Sequence, residues 1–441
     1  MTEPLRLGLA GLGTVGASLL QLIETHRGEI AERCGLSGVV RAVSARDPAK
    51  KRSVDISSLR WVDDPVALAR DPNIDVFVEL IGGAGGVAES AVRTALAAKR
   101  HVVTANKAML AASGQELAEL AERNHVSLNF EAAAAGAIPI VKTLRESLAG
   151  NSVRRLYGIL NGTCNYILTR MEREGIDFDT CLRAAQELGY AEADPTFDIG
   201  GHDSAHKLAI LTAIAFGTQV DADAVYVEGI GAITPADLEA ADELGYKLKL
   251  LGIAVMSETG IEQRVHPAMI PKSSPIAAID DVTNAVAIEA DFAGQLMLSG
   301  PGAGGDATAS AVMGDIIDIA RGVRLPTFGR PAEALEPHRR AAMRAHEGGY
   351  YLRLTVYDRP GAFAAIATRM AEHGISLESI VQRRRERHAD APDHLEPAAP
   401  QPVILITYET TESAIRSALD EIHADGHIAA EPQLIRIEPL S

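Results

Sequence analysis

The sequence predicts an α/β chain in three parts: a doubly wound parallel sheet over residues 1–135, an α+β middle over 136–308 and, after a connector at 329–349, a small βαββαβ unit over 350–441. Three observations predict it. Apolar runs of strand length alternate with helix-period stretches at the start of the chain, and hairpin-like pairs of strands begin near Val153. A stretch rich in Pro, Ala and charge, ending in Gly348-Gly349, then sets off a last group of strands and helices. With 441 residues the chain is too long for a single core.

The first strand is Leu5-Arg-Leu-Gly-Leu-Ala10. It runs into Gly11-Leu-Gly-Thr-Val-Gly16 and then into Ala17–Ile23, which has helical periodicity. This is a GxGxxG in the strand–turn–helix context that a dinucleotide site requires. Gly11 permits the tight turn, Gly13 lets the backbone approach a pyrophosphate, and Gly16 allows helix and strand to pack closely. Thr14 and Val15 open the helix whose N-terminus faces the anion. The second strand, Val39–Ala45, is followed by Arg46, with Lys50, Lys51 and Arg52 just beyond. An NAD-selective site places an acid on the ribose hydroxyls here, whereas a guanidinium suits a 2′-phosphate, so NADP(H) is the expected cofactor. Asp47 leaves NAD(H) as a second cofactor, and solvated loop charges are the plain alternative.

Val76–Ile81 ends in Gly82 and Gly83, and His101–Ala105 ends in Asn106-Lys107. Both ends fall on the carboxyl edge of the sheet, where open α/β sheets bind ligands, which makes Lys107 a candidate site residue. A late strand, Val126–Phe130, leads to Glu131–Ile140, whose small residues suit backbone close to a ligand or ion, or plain tight packing.

In the middle part, Arg155–Leu160, Leu248–Val255, Ala285–Ala290 and Gln295–Ser299 read as strands. Asp203 and Lys207, four residues apart, stack on one helix face just downstream of Glu192, Asp194 and Asp198. Leu208–Phe216 is apolar, so this helix runs into a core and its lysine is partly desolvated. Desolvation lowers an ammonium pKa and a neighbouring carboxylate raises it; a lysine balanced between the two can hand a proton to a developing alkoxide. The same spacing also describes an ordinary surface ion pair. A helix from Ala309 to Arg321, within a segment reaching residue 328, returns to the first sheet.

In the tail, Tyr350–Tyr357 is a strand and Asp358-Arg-Pro-Gly361 a turn. Ala362–His373 is a helix, Ser376–Val381 and Val403–Tyr408 are strands, Ser413–Asp425 is a helix and Gln433–Ile437 the last strand. The insert from Arg383 to Pro402 reads as a mobile hairpin loop.

A formal net charge of −17 lacks the basic face a nucleic-acid binder needs, and small-molecule chemistry is the expected class. Cys34, Cys164 and Cys181 show no metal spacing and suit a reducing compartment. No charged n-region leads into an apolar h-region, so the expected location is the cytoplasm. The longest strongly apolar run, near Leu208–Phe216, is too short to span a bilayer.

Taken in order, GLGTVG, ELIGG, VVTANKA, FEAAAAGAIPI, GILNGTCNYIL, ELGYAEADPTFDIGGHDSAHKLAIL and GPGAGGDATASAVMGD closely resemble homoserine dehydrogenase, over roughly the first three quarters of the chain. The EADP segment with HDSAHK is the specific part. DRPGAFA within the βαββαβ order resembles an ACT domain, a ferredoxin-like fold that accompanies feedback control by an amino acid.

The resemblance implies a Rossmann-type first domain and a substrate-binding and dimerisation domain after it. It implies NAD(P)-dependent reduction of L-aspartate 4-semialdehyde to L-homoserine, on the way to threonine, methionine and isoleucine, by a monofunctional homodimer or homotetramer. Lys207 becomes the proton donor and Lys107 a second lysine reaching both nicotinamide and substrate. Glu192 holds the substrate's amino group, Asp203 binds substrate beside Lys207, and Asp198 supports the acidic pocket. Gly162, Thr163, Gly189 and Tyr190 line the cleft, with Gly189 also on the cofactor, over which Gly304 closes. A sodium ion is expected on backbone oxygens of Glu131, Ala134, Gly136 and Ile138.

L-threonine is the expected effector, bound near Gly361, Ile375 and Ser376, and a chain ending near Arg330 is expected to stay active without threonine sensitivity. Two competing readings are a sensor of dinucleotide and amino acid without catalysis, and a semialdehyde dehydrogenase that attacks through Cys164, which has no histidine near it in sequence.

Overall fold

The computed structural model describes residues 4–34, 38–341, 347–357, 359–382 and 400–440. Asp358 and residues 383–399 of the expected insert lie outside the described residues.

Six parallel strands, β1 (Leu5–Ala10), β2 (Gly38–Ser44), β3 (Arg60–Trp61), β4 (Val76–Glu79), β5 (His101–Thr104) and β6 (Leu128–Asn129), form the first sheet in the order β3-β2-β1-β4-β5-β6. Side chains alternate between its two faces, as strand geometry requires. Val76 and Val78 pack with the helices Thr14–Thr25 and Gly305–Ala320, whereas Phe77 packs with Gly86–Ala97 and Lys107–Arg123. The late helix therefore does return to the first sheet, but it starts at Gly305 and ends at Ala320, well short of residue 328. The strand read at Val126–Phe130 shrinks to two residues, because Ser127 gives its N–H to the His101 ring at 3.0 Å and the chain turns into the Ala132–Ala135 helical turn soon after.

The remaining strands are β7 (Val153–Ile159), β8 (Tyr226–Val227), β9 (Tyr246–Ser257), β10 (Gly260–Pro271), β11 (Thr283–Ala290), β12 (Gly294–Pro301), β13 (Glu347–Val356), β14 (Leu377–Gln382), β15 (Gln401–Thr407), β16 (Thr410–Thr411) and β17 (Gln433–Ile437). They form a single eleven-stranded sheet in the order β12-β11-β7-β9-β10-β17-β13-β15-β14, with β8 beside β10 and β16 beside β13. The order β17-β13-β15-β14 is that of the ferredoxin-like unit expected for the tail.

The tail is not set apart from the rest. Its strand β17 pairs in parallel with β10, Ala268 opposite Arg436 and Met269 opposite Ile437. The two faces of β13 serve different cores. Tyr350, Leu352 and Leu354 pack with the tail's helices Ala362–Glu372 and Glu412–Ala424, while Tyr351, with Ile435 and Ile437 of β17, joins the main core of the chain.

Buried polar groups reinforce the seam. Asp237, the acid of a capping box that opens the helix Pro235–Glu243, accepts from Tyr351 Oη at 3.0 Å and from Arg353 Nε at 2.7 Å. Glu438 accepts from Arg264 Nη2 at 2.9 Å. The connector is pinned as well: Glu336 N–H donates to Gly217 O at 3.1 Å and Ile261 N–H to Arg339 O at 2.7 Å.

This seam argues against a freely removable tail. A chain ended at Arg330 bares the edge of β10 and takes Tyr351 and Arg353 from Asp237, and breaking one buried pair costs about 3–5 kcal/mol. We expect the thermal midpoint of that chain, measured by calorimetry, to fall by roughly 10 °C or more and light scattering to report aggregation. An unchanged midpoint would mean that the pairing contributes nothing to stability.

Candidate active site

The carboxyl edge of the first sheet is shaped by the glycine turn after β1. Gly11 has φ +105°, and a Cβ there would stand 2.3 Å from Leu80 O; at Gly16 a Cβ would stand 2.2 Å from Gly11 O. The same addition at Gly13, Gly82, Gly83 or Gly304 meets nothing within 4 Å, so the backbone at these positions faces open space at the mouth of the sheet. Thr14 and Val15 begin the helix Thr14–Thr25 and leave its first N–H groups toward that space.

A buried strut holds the neighbouring loops. Glu79, at the end of β4, accepts from Ile81 N and Gly82 N at 2.7 and 2.9 Å and from Thr104 Oγ1 at 2.5 Å. Asn106 takes up the chain from there: it donates to Gly83 O at 2.8 Å and caps the helix Lys107–Arg123 by accepting from Met109 N at 3.1 Å. Lys107 is thereby placed at the start of a fixed helix. After β2, Arg46, Lys50 and Lys51 are exposed. Arg52 is not available to a ligand in the same way, because it donates to Asp47 O at 2.6 Å and Lys50 O at 2.8 Å and lies over the Trp61 ring.

The sheet edge meets the middle domain at one carboxylate. Asp203, on the first turn of the helix His202–Phe216, is 4% exposed. Its Oδ1 is 3.0 Å from Lys107 Nζ, and its Oδ2 accepts from Lys207 Nζ at 2.8 Å and from Asn161 Nδ2 at 2.9 Å. Lys207 Nζ also donates to Leu160 O at 2.8 Å. Burial works against the charge on Asp203, but Lys207 and then Lys107 outweigh it and hold the carboxyl well below its usual range. Asp198 accepts from Asn161 Nδ2 at 2.9 Å, and both burial and the charge of Asp203 push its pKa up. Lys107 is pulled down by burial and up by Asp203, Asp198 and Glu192, with the net shift upward. Oδ2 of Asp203 is filled by Lys207 and Asn161 while Oδ1 carries Lys107 alone, so the expected binding of substrate beside Lys207 would fall to Oδ1.

Asn161 is the residue sequence reading missed. It caps the helix Gly162–Glu174, its Oδ1 accepting from Cys164 N at 2.8 Å while its amide bridges Asp198 and Asp203. An Asn between a strand and a helix is the only signal it gives, and that signal marks a cap rather than a site. Thr163 Oγ1 donates to Tyr190 O at 2.7 Å and so ties the rim segment Gly189–Glu192 to the same helix. Tyr190 and Glu192 are exposed on that rim, with Tyr190 edge-on to Tyr166. Cys164 is fully buried behind the cluster and donates to Asp198 O at 3.3 Å; burial, then Asp198 and Asp203, push its thiol pKa well up, which disfavours a thiolate.

Beneath the site, the turn Ala132–Ala135 packs on the helix His202–Phe216 and stops at Gly136. The carboxylate of Glu131 accepts from Val141 N and Lys142 N at 2.8 and 2.9 Å, and its own N–H donates to Asp315, whose buried carboxyl is pushed up to about 7 by burial and by Glu131. Among the described residues, no helix is long and apolar enough to cross a membrane.

Comparison with known proteins agrees along the whole chain. Residues 139–317 match the family model for homoserine dehydrogenase, residues 11–131 the model for the homoserine dehydrogenase NAD binding domain, and residues 350–426 that for the ACT domain. A homoserine dehydrogenase from Pseudomonas aeruginosa is 41% identical over 445 residues, covering 100% of both chains. The crystal structure of a homoserine dehydrogenase from Thiobacillus denitrificans is similar with a TM-score of 0.90 at 40% identity, covering 100% of this chain and 99% of that one. A hyperthermophilic archaeal homoserine dehydrogenase in complex with NADPH has a TM-score of 0.61 at 25% identity and covers 74% of this chain and 99% of its own.

The burial of Cys164 sets a direct test of thiol chemistry. Native protein treated with iodoacetamide should leave Cys164 unlabelled by mass spectrometry, and Cys164→Ser should keep turnover within about threefold of the parent. Labelling of Cys164 together with loss of turnover in the serine variant would restore a nucleophilic cysteine.

Proposed function

Because this chain belongs to the homoserine dehydrogenase family, and so catalyses the NAD(P)-dependent interconversion of L-aspartate 4-semialdehyde and L-homoserine in amino-acid biosynthesis, we propose how its residues divide that work. The observation that carries the reading is Asp203 held between Lys107 and Lys207. An ammonium has three donors, and Lys207 spends two of them on Leu160 O and Asp203. The third is left for the carbonyl oxygen of the semialdehyde, which takes the proton as it becomes an alcohol; in the reverse direction Lys207 accepts it. Lys107, less buried and on the sheet edge, stands on the cofactor side of the substrate, where its positive charge stabilises the developing oxyanion. The bound nicotinamide supplies or receives the hydride.

Glu192 holds the substrate ammonium from the rim, and Asp198 keeps the pocket acidic. Asp203 fixes both lysines, and its Oδ1, which carries Lys107 alone, binds substrate beside Lys207. Gly162, Thr163, Gly189 and Tyr190 shape the cleft, while Gly11, Gly13, Thr14, Val15, Gly16, Gly82, Gly83 and Gly304 receive the cofactor. The carbonyls of Glu131, Ala134, Gly136 and Ile138, in the irregular backbone around Gly136, are the all-oxygen donor set we assign to a hard cation such as sodium; Glu131 O and Ile138 O also accept from Ala134 N and Ile140 N at 3.3 and 2.8 Å.

NADP(H) is the preferred cofactor in this reading, supported by exposed Arg46 where a 2′-phosphate would arrive. The ACT domain serves an amino-acid effector, for which L-threonine is our candidate. The outer strand β12, with Leu296 and Met297 exposed and Phe292 91% exposed at its hairpin, suits self-association into a homodimer, and pairing of tails suits a tetramer. A cytoplasmic location fits this metabolism.

Two measurements test the assignments. In Lys207→Ala, kcat should fall about a hundred- to ten-thousand-fold with NADPH affinity nearly unchanged; retention of more than about a tenth of kcat would move the proton to Lys107. Arg46→Ala should raise the KM for NADPH far more than that for NADH, whereas an equal rise in both would show that Arg46 does not read the 2′-phosphate.

A further inference from the structure

The segment Tyr226–Ile230 lies between the tail and the turn that separates Asp198 from Asp203, and touches both. On the tail side, the Glu228 carboxylate receives Arg436 Nη1 at 2.7 Å on Oε2, and Arg436 Nη2 and Arg416 Nη2 at 3.3 Å on Oε1; Tyr226 Oη also donates to it. Arg436 has no exposed surface. It also donates to Tyr226 Oη at 3.4 Å and to Glu412, at the start of the helix Glu412–Ala424, through Nε at 2.8 Å and Nη2 at 2.7 Å. One guanidinium on β17 thus joins an acid of the tail to an acid of the catalytic part. Burial works against the charge on Glu228, but Arg436 outweighs it and holds the carboxyl down to about 2.

On the catalytic side, the backbone of the same segment is the floor of the turn that separates Asp198 from Asp203. Glu228 N–H donates to Val265 O at 2.7 Å, and Ile230 N–H donates to Ile199 O at 2.9 Å. A Cβ on Gly229 would stand 2.3 Å from Ile199 O and 2.8 Å from the Gly200 Cα, and one on Gly201 would stand 3.1 Å from Val227 and from Val265. There is no slack on either side of this contact, and close-packed interiors transmit displacement. The turn it supports follows Asp198 and leads into the helix that carries Asp203 and Lys207.

We infer that Glu228 is a positioning residue for the reaction, clamped by Arg436 of the ACT domain so that the turn Ile199–Gly201 sets Asp198 and Asp203 at the spacing the two lysines require. The inference rests on the roles proposed above for Asp203 and the lysines. It also gives the ACT domain a physical route to the active site: an effector that shifts β17 or the helix Glu412–Ala424 moves Arg436, then Glu228, then the turn, without approaching the substrate.

The test is Glu228→Gln in the full chain, which keeps shape and removes charge. We expect kcat per cofactor-binding site, with sites counted by NADPH fluorescence titration, to fall about ten- to a hundredfold, while NADPH affinity stays within about twofold of the parent. Loss of a merely structural contact would lower the number of binding sites and leave kcat per site unchanged, and that result would overturn the inference. The double variant Glu228→Gln/Arg436→Met should be no slower than the slower single variant, because the two act as one unit; additive losses would break the link to the tail. Should Glu228→Gln fail to fold, Arg416→Gln, on the half-exposed rim of the cluster, should still lower kcat per site by about two- to fivefold, and an unchanged value would overturn the inference. A failure of the proposed lysine roles shows in Lys207→Ala instead, so the two ideas can fall separately.

Discussion

One buried carboxylate, Asp203, holds the candidate active site together. It grows from the helix His202–Phe216 of the middle domain, yet one of its oxygens is spent on Lys107, which grows from the edge of the first sheet. The other holds Lys207 and Asn161. A lone buried carboxylate is costly, and so is a lone buried ammonium; brought together, two lysines and an amide satisfy the charge that none could carry alone. The same ion pairing joins the cofactor-binding part to the substrate-binding part. The electrostatic requirement of burial therefore fixes the geometry proposed above for the reacting site.

A similar economy runs along the sheet edge. Glu79, Thr104 and Asn106 are all buried polar residues, and they spend their hydrogen bonds on one another and on the backbone of the loops and of the helix Lys107–Arg123. They turn strand ends into fixed loops, so that a lysine at the head of a helix arrives at a defined place. Preorganisation of this kind is what a site needs if its charges are to act without reorganising during the reaction.

Much of this was legible in the sequence, and the rest was hidden for physical reasons. The glycine turn, the apolar strands and the Asp203–Lys207 pair all follow from local periodicity and spacing, which one segment can declare by itself. The Lys107–Asp203 contact cannot be read that way, because the two residues are brought together only by tertiary packing. Asn161 looks like a cap and is one; its second function depends on two carboxylates that arrive from elsewhere. Arg52 reads as one basic residue among four until the Asp47 and Lys50 carbonyls are seen to claim it. The tail's strands and helices were legible in order, but not the insertion of β17 beside β10, since a strand's sequence says which face is apolar and not which partner it will find.

The eleven-stranded sheet has a consequence for how the chain folds. Strands β10 and β17 pair in parallel although Ala268 and Arg436 stand far apart in sequence, and contacts of that kind come at a large cost in chain entropy before they return any stability. Local ladders such as the β9–β10 and β11–β12 hairpins form on a shorter loop and need no such wait. By loop-closure entropy alone, the meeting of β17 with β10 comes later than those hairpins. A molecule in which β17 has not yet met β10 lacks the pairing beside which the Arg436 guanidinium reaches Glu228, whatever else of it is already formed.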